Sequence, residues 1–300
     1  MSPFEGFDVA AARALAADRP ACARAAFLVS PAGSELAAQS ASDNAYMDLK
    51  QAFSTDRARA QHQALQRALS SELPAICFAG DPDAPDGLFP NNVFATTPGR
   101  LIIGRMRHPV RQREAERPDI RGFFSGLLGY AELDLRAGEV GELTGSLVID
   151  RARGIGYAGL GERCTRAAAR SMVEAFGLRA LLCAELAAGE YHANVVLSVL
   201  AGRMAVICAE GFADPAAAEA IAAVYAPQVL WLEPAQKNAF AANCISLAPD
   251  SVWISGRAAD SLRPDQRLQL ERAGFALRSV ELDEIEKAGG SLRCCVAEIF

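Results

Sequence analysis

Histidine is scarce in this chain: His62, His108 and His192 are the only three among 300 residues. If the protein needs an imidazole, the candidates number three. No two of its eight cysteines stand at the C-x-x-C spacing of a zinc site, so no structural metal is expected. The cysteines (Cys22, Cys77, Cys164, Cys183, Cys208, Cys244, Cys294 and Cys295) are also too scattered for a disulfide scaffold, which predicts that most are reduced and buried. Long apolar runs are missing too. The stretches 180–188 and 195–200 are too short or too interrupted to span a bilayer, and the N-terminus lacks the basic-then-apolar order of a signal peptide. Excess positive charge is absent: a net charge of −6 argues against a polyanion-binding surface, which needs clustered Lys and Arg. No linker divides the chain. With 51% hydrophobic and 22% charged residues there is ample material for a core. These exclusions lead to the expectation of one cytoplasmic domain over residues 1–300, with no nucleic-acid or membrane partner and with homo-oligomerisation left open.

What is present is a repeat. Leu147–Asp150 and Ile155–Ala158 read as strands flanking a turn, followed by a helix near 165–176 and a third strand at 178–183. The order recurs with strands at 195–200 and 204–208, a helix near 215–224 and a strand at 229–232. It recurs again with strands at 245–247 and 252–254, a helix near 264–273 and a strand at 276–280. Region 75–135 fits the same ββαβ order, with strands at 75–79, 101–104 and 131–135. A fifth unit would join the buried strand at 25–30 to the one following Cys294, closing a ring without free sheet edges. Of the N-terminal helices, one is expected within 1–22 and one over 58–69, the latter carrying His62 on its solvated face.

Three side chains fall at corresponding positions of these units. Glu142 and His192 each precede the first strand of a repeat, and Cys294 follows the Gly289-Gly290 turn. Together they supply carboxylate, acid/base and nucleophile. Arg293 beside Cys294 is expected to favour the thiolate, and alternation along a strand is expected to point Cys294 and its neighbour Cys295 to opposite faces. Asn91-Asn92 reads as loop chemistry or part of a binding site.

Four motifs in order, Phe89-Pro90-Asn91-Asn92-Val93-Phe94, Thr144-Gly145-Ser146-Leu147-Val148-Ile149-Asp150-Arg151, Tyr191-His192-Ala193-Asn194-Val195-Val196 and Gly289-Gly290-Ser291-Leu292-Arg293-Cys294, resemble the pentein superfamily of guanidine-modifying enzymes. The likeness is greatest to its arginine-deiminase-related branch, which includes citrulline-utilisation hydrolases, and it runs from about residue 25 to Phe300. The resemblance implies an α/β propeller of five ββαβ units around a central cavity. It also implies a cysteine hydrolase with Cys294 as nucleophile, His192 as acid/base and Glu142 as carboxylate, acting on a small amino-acid substrate without a cofactor. Asn91, Asn92, Asn194 and Thr97 become candidate substrate-binding residues.

Guanidine-acting members commonly carry acids where this chain has Thr97 and Asn194. Burying a guanidinium calls for anionic partners, so their absence favours a neutral, citrulline-like ureido substrate. Arginine deiminase or succinylarginine-type hydrolysis is the alternative within the fold. The non-enzymatic alternative is a binding module like the ribosome-associated penteins, against which the retained Cys294, His192 and Glu142 and the acidic composition speak.

Overall fold

The structure, a computed structural model, describes residues 7–33, 36–47 and 49–300. Five small sheets are built on one plan: a first strand antiparallel to a second, and a helical crossover to a third strand parallel to the second. Strands β3 (Phe94–Thr97), β4 (Arg100–Ile103) and β5 (Ala131–Asp134) form one such blade. Strands β6 (Leu147–Asp150), β7 (Ile155–Leu160) and β8 (Ala180–Glu185) form the next, and β9 (Leu197–Leu200), β10 (Met204–Ile207) and β11 (Val229–Trp231) the third. In the fourth, β12 (Ser251–Ser255) and β13 (Ala276–Val280) pair in parallel, while the first strand is reduced to a single bridge between Ile245 and Trp253.

The fifth blade closes the ring. Strand β1 (Ala25–Val29) runs antiparallel to β14 (Ala297–Ile299) and parallel to β2 (Ala75–Phe78), so the chain's last strand serves as first strand for its beginning. This is the pentein-type α/β propeller expected from the repeat, with one reassignment. The 75–79 strand belongs to the closing blade, and the first strand of the 94–134 blade is Phe94–Thr97. The Pro98-Gly99 turn folds that strand back on β4, with Gly99 at φ +74°.

The crossover helices explain how the blades hold together. Helix Arg166–Phe176 starts at Thr165, whose hydroxyl accepts from the Ala168 amide, and stops at Gly177 in the left-handed region at φ 60°. Its Ala168, Ala169, Met172, Ala175 and Phe176 form one buried stripe over the sheet. The N-terminal helix spans only Val9–Ala14, capped by Asp8, and residues 1–6 of the expected segment lie outside the described residues.

In helix Thr55–Leu69, His62 is buried, not solvated as the sequence reading placed it. It lies on the inward stripe with Ala58, Leu65 and Leu69, and burial lowers its pKa to about 4. Among the described residues, no helix is long and apolar enough to cross a membrane.

Candidate active site

Each blade begins with a tight turn that enters the first strand, and these turns meet at one end of the ring. Glu142 caps the one-turn helix Leu143–Ser146 before β6, and His192 caps Ala193–Val196 before β9. Pro90–Asn92 is a 3₁₀ turn before β3, and Leu292–Cys295 is another just before β14. Fifty residues separate Glu142 from His192, which is one blade, and the two side chains touch.

His192 Nε2 lies 2.8 Å from Glu142 Oε2. Glu142 accepts a second bond from the Arg107 amide at 3.1 Å, and the Arg163 guanidinium stands 3.5 Å away. Both His192 and Glu142 are 0% exposed. Burial alone would raise the Glu142 pKa, but Arg163 and the hydrogen bond from His192 hold it well below the usual carboxylate range. Burial is also the largest influence on His192 and lowers its pKa to about 4 against the opposing pull of Glu142. A neutral imidazole that donates from Nε2–H to the carboxylate leaves Nδ1 as a lone-pair acceptor, and Nδ1 has no partner among the described residues. Gly145 leaves room there: a Cβ on it would come within 2.9 Å of Nδ1 and would collide with Asn92 Oδ1. The turn is also strained, since Leu143 sits at φ 26° without being glycine.

Cys294 is 1% exposed. Asn243 holds it from two sides, donating from Nδ2 to Sγ at 3.3 Å and accepting from the Cys294 amide at 3.4 Å. The thiol faces Asn194 Oδ1 at 3.8 Å, while Asn194 Nδ2 donates to the Thr144 carbonyl at 3.1 Å and Thr144 Oγ1 donates to the Asn91 carbonyl at 3.0 Å. The turns of all five blades are thus stitched in series.

Two sequence expectations about the thiol are met only in part. Burial raises the Cys294 pKa; hydrogen bonds and the Arg293 cation lower it, as expected of Arg293, but do not offset the burial, and Arg293 is also engaged with Glu298 at 2.9 Å and with the Val296 carbonyl. The Cys294–Cys295 pair sits in a 3₁₀ turn rather than a strand. Helical rotation, not strand alternation, aims Cys294 at the asparagines while Cys295 joins an apolar cluster with Leu28 and Leu292.

The structure therefore brings Cys294, His192, Glu142, Asn91, Asn92 and Asn194 to one end of the ring, and it does not bring Thr97. Three strand steps of about 3.3 Å carry the chain from Phe94 to the far hairpin end. There Thr97 lines a separate cavity with Arg151 and Phe300. Asn91 Nδ2 and Oδ1 and Asn92 Oδ1 are buried without a partner among the described residues, like His192 Nδ1.

Sequence reasoning missed Asn243, Asp86, Arg163 and the segment that seals the site. Asn243 stands 51 residues before Cys294 and could have been found by continuing the repeat interval. Over the cluster, Asp43 binds Arg163 at 2.5 Å and His108 at 3.0 Å, and Asn44 donates to the Gly289 carbonyl at 3.2 Å. Tyr46 packs on Tyr191 and hydrogen-bonds Glu190. No local sequence pattern marks these long-range contacts.

A family profile described as N,N dimethylarginine dimethylhydrolase, eukaryotic, matches residues 30–300. No curated protein sequence matches the chain. Among solved structures, the substrate-bound N-terminal domain of ArgZ, an arginine dihydrolase from the ornithine–ammonia cycle in Cyanobacteria, is similar with a TM-score of 0.78 and 19% identity, over 92% of this chain and 97% of that one. The ternary complex of AgrE with ornithine and NAD+ matches with a TM-score of 0.78 and 22% identity, over 92% of this chain and 39% of AgrE. A dimethylarginine dimethylaminohydrolase adduct with 4-chloro-2-hydroxymethylpyridine matches with a TM-score of 0.71 and 20% identity, over 92% and 100%. At such identities the structural likeness is one of fold.

Proposed function

The chain belongs to the N,N dimethylarginine dimethylhydrolase family of the pentein superfamily and is a hydrolase of carbon–nitrogen bonds other than peptide bonds; from that premise we propose that it hydrolyses the guanidino carbon of an arginine-type amino acid through a covalent bond to Cys294. The observation that carries this reading is the set of unpartnered polar atoms buried among the turns at the Cys294 end of the ring: His192 Nδ1, both amide atoms of Asn91 and Asn92 Oδ1. Burying polar groups without partners costs about 1–3 kcal/mol each, so their concentration at one spot suits a ligand that satisfies them. Most are acceptors, which suits a substrate rich in N–H donors.

Charge favours a cationic substrate. Around Glu142, three buried carboxylates (Asp86, Glu114 and Glu142) face two buried guanidiniums (Arg111 and Arg163), and Arg163 is shared with Asp43. Burial pushes the Asp86 pKa up despite Arg111. A guanidinium beside it restores balance, and beside Cys294 it favours the thiolate that burial disfavours.

In the reaction, the Cys294 thiol gives its proton to His192 Nδ1 and sulfur bonds to the guanidino carbon. Collapse of the tetrahedral adduct breaks a carbon–nitrogen bond, and the imidazolium, stabilised by Glu142, returns the proton to the departing ammonia or amine. Water then adds to the S-linked carbon while His192 takes its proton. Cleavage of the carbon–sulfur bond, with proton return to sulfur, releases a ureido amino acid and restores the thiol. Because Asp43, Asn44 and Tyr46 cover the cluster, segment 36–47 swings away to admit substrate. Residues 1–300 act as one catalytic unit.

A second reading keeps the ureido substrate expected from the sequence. With Thr97 outside the site, it rests on the neutral amide of Asn194 alone. Purified protein is incubated with L-arginine, Nω,Nω-dimethylarginine and L-citrulline, with released ammonia or dimethylamine and the amino-acid product measured. A mass shift on Cys294 in quenched mixtures tests the covalent step. Release from a guanidino substrate is expected; turnover of citrulline alone selects the ureido reading, and turnover without any Cys294 adduct in rapidly quenched samples counts against the covalent route.

A further inference from the structure

We propose that the end of the ring opposite the catalytic cluster carries a second ligand site, which takes a small organic anion with an aromatic or apolar body. The catalytic residues precede the first strands of their blades, whereas this cavity is lined by residues at the far ends of three of those strands: Thr97 ends β3, Arg151 follows β6 and Phe300 follows β14. Its volume is about 350 Å³, within the range of small-molecule sites. None of the catalytic-cluster residues borders it.

Charge sets the chemistry of the occupant. Arg19, Arg24 and Arg151 line the cavity, no acidic side chain does, and none of the three forms an ion pair among the described residues. In a chain of net charge −6, three unneutralised guanidiniums around one cavity repel each other and favour an anion. Arg151 is the anchor. Its guanidinium lies 4.3 Å from the Phe300 ring centre and 5.2 Å from that of Phe176, with one N–H directed to the Thr96 carbonyl at 3.3 Å. Its other donors have no acceptor among the described residues.

Burial draws the Arg151 pKa down to about 10 against the pull of Glu298, an acid that is itself held by Arg293, as expected of a cation short of counter-charge. Arg19 is fixed by its own bond to the Gly177 carbonyl at 2.8 Å, lying over Gly154 where a Cβ would collide with it. Arg24 is the exposed third. Guanidinium forks match carboxylate and phosphate alike, and the Phe176 and Phe300 rings with Ile149 and Leu178 offer a surface for a flat apolar body.

Calorimetric titration of the intact protein with 1-naphthyl phosphate and 1-naphthoate distinguishes the two head groups; inorganic phosphate and 1-naphthol supply head and body alone. At least one naphthyl anion is expected to bind one to one, about 10-fold or more tightly than either fragment. Arg24→Ala, at an exposed position, and Arg151→Lys, which keeps the charge but loses the fork, are each expected to weaken it about 10-fold. Cys294→Ser is expected to leave it unchanged, and saturating L-arginine is expected not to compete. The proposal is overturned if neither naphthyl anion binds more tightly than phosphate, if both arginine variants bind like the parent, or if arginine or loss of the Cys294 thiol abolishes binding. Its outcome is independent of whether the catalytic cluster turns over a guanidino substrate.

Discussion

Replacing Glu142 by Gln changes one charge and almost no volume at the centre of the cluster. In the parent, the carboxylate accepts from His192 Nε2 at 2.8 Å in a site with no solvent exposure. When His192 takes the thiol proton, this contact becomes an ion pair. The lower bound on its worth is the difference between a charged and a neutral hydrogen bond, about 1 kcal/mol. The upper bound is the Coulomb attraction of unit charges about 4 Å apart at an effective dielectric near 20, about 4 kcal/mol. Glu142→Gln should therefore lower kcat roughly 5- to 1,000-fold, with a smaller change in KM. Glu142 raises the His192 pKa against burial, so its removal should also move the imidazole-controlled limb of the pH profile toward acid.

The assay is amine release from a guanidino substrate between about pH 5 and 10, with circular dichroism confirming the fold. Stability gives a second readout. A carboxyl held below its unfolded pKa stabilises the fold above the unfolded value, about 4.3, and loses that contribution as pH falls through the folded value. The variant should therefore lose part of the acid dependence of its melting temperature. A folded Glu142→Gln protein retaining a third or more of the parent kcat would refute the assigned role.

Other perturbations test the neighbouring residues. Cys294→Ser should abolish turnover, whereas Cys295→Ser, in an apolar cluster, should keep it and lose about 1–3 kcal/mol in a denaturant titration; loss of turnover in a folded Cys295→Ser protein would shift the nucleophile. Because burial raises the Cys294 pKa, iodoacetamide labelling of that thiol should be slow at pH 7 and rise into the alkaline range. Asn243→Ala removes a donor to Sγ and should push this rise further alkaline, and an unchanged labelling profile would show that Asn243 does not tune the thiol. Asp43→Asn weakens the hold on Arg163 and should speed labelling at fixed pH by freeing the covering segment; equal rates would count against gating there. Asn194→Asp loses the donor to the Thr144 carbonyl and should cost about 1–3 kcal/mol, while raising the kcat/KM ratio for arginine over citrulline. An unchanged ratio would mean that position 194 does not read charge.

The sequence determined the plan of this protein because the plan is periodic. Strand, turn, strand, helix and strand recur about every fifty residues, each pattern being local, and their repetition exposes the ring and its closure by the chain's two ends. The same periodicity made Glu142, His192 and Cys294 visible as a group, since equivalent turns converge wherever first strands pack about an axis. Only the tertiary structure decided what those residues experience. That Arg293 is spent on Glu298, that His62 faces inward and that Asp43 reaches Arg163 across 120 residues depend on contacts between distant segments. The position of Thr97 followed the same logic: a motif offset counts residues, but a strand converts residues into length, and three steps along β3 removed it from the end that holds Glu142, His192 and Cys294. Charge and burial also act through space, so the depressed Glu142 carboxyl and the raised Cys294 thiol arise only when the five turns have been brought together.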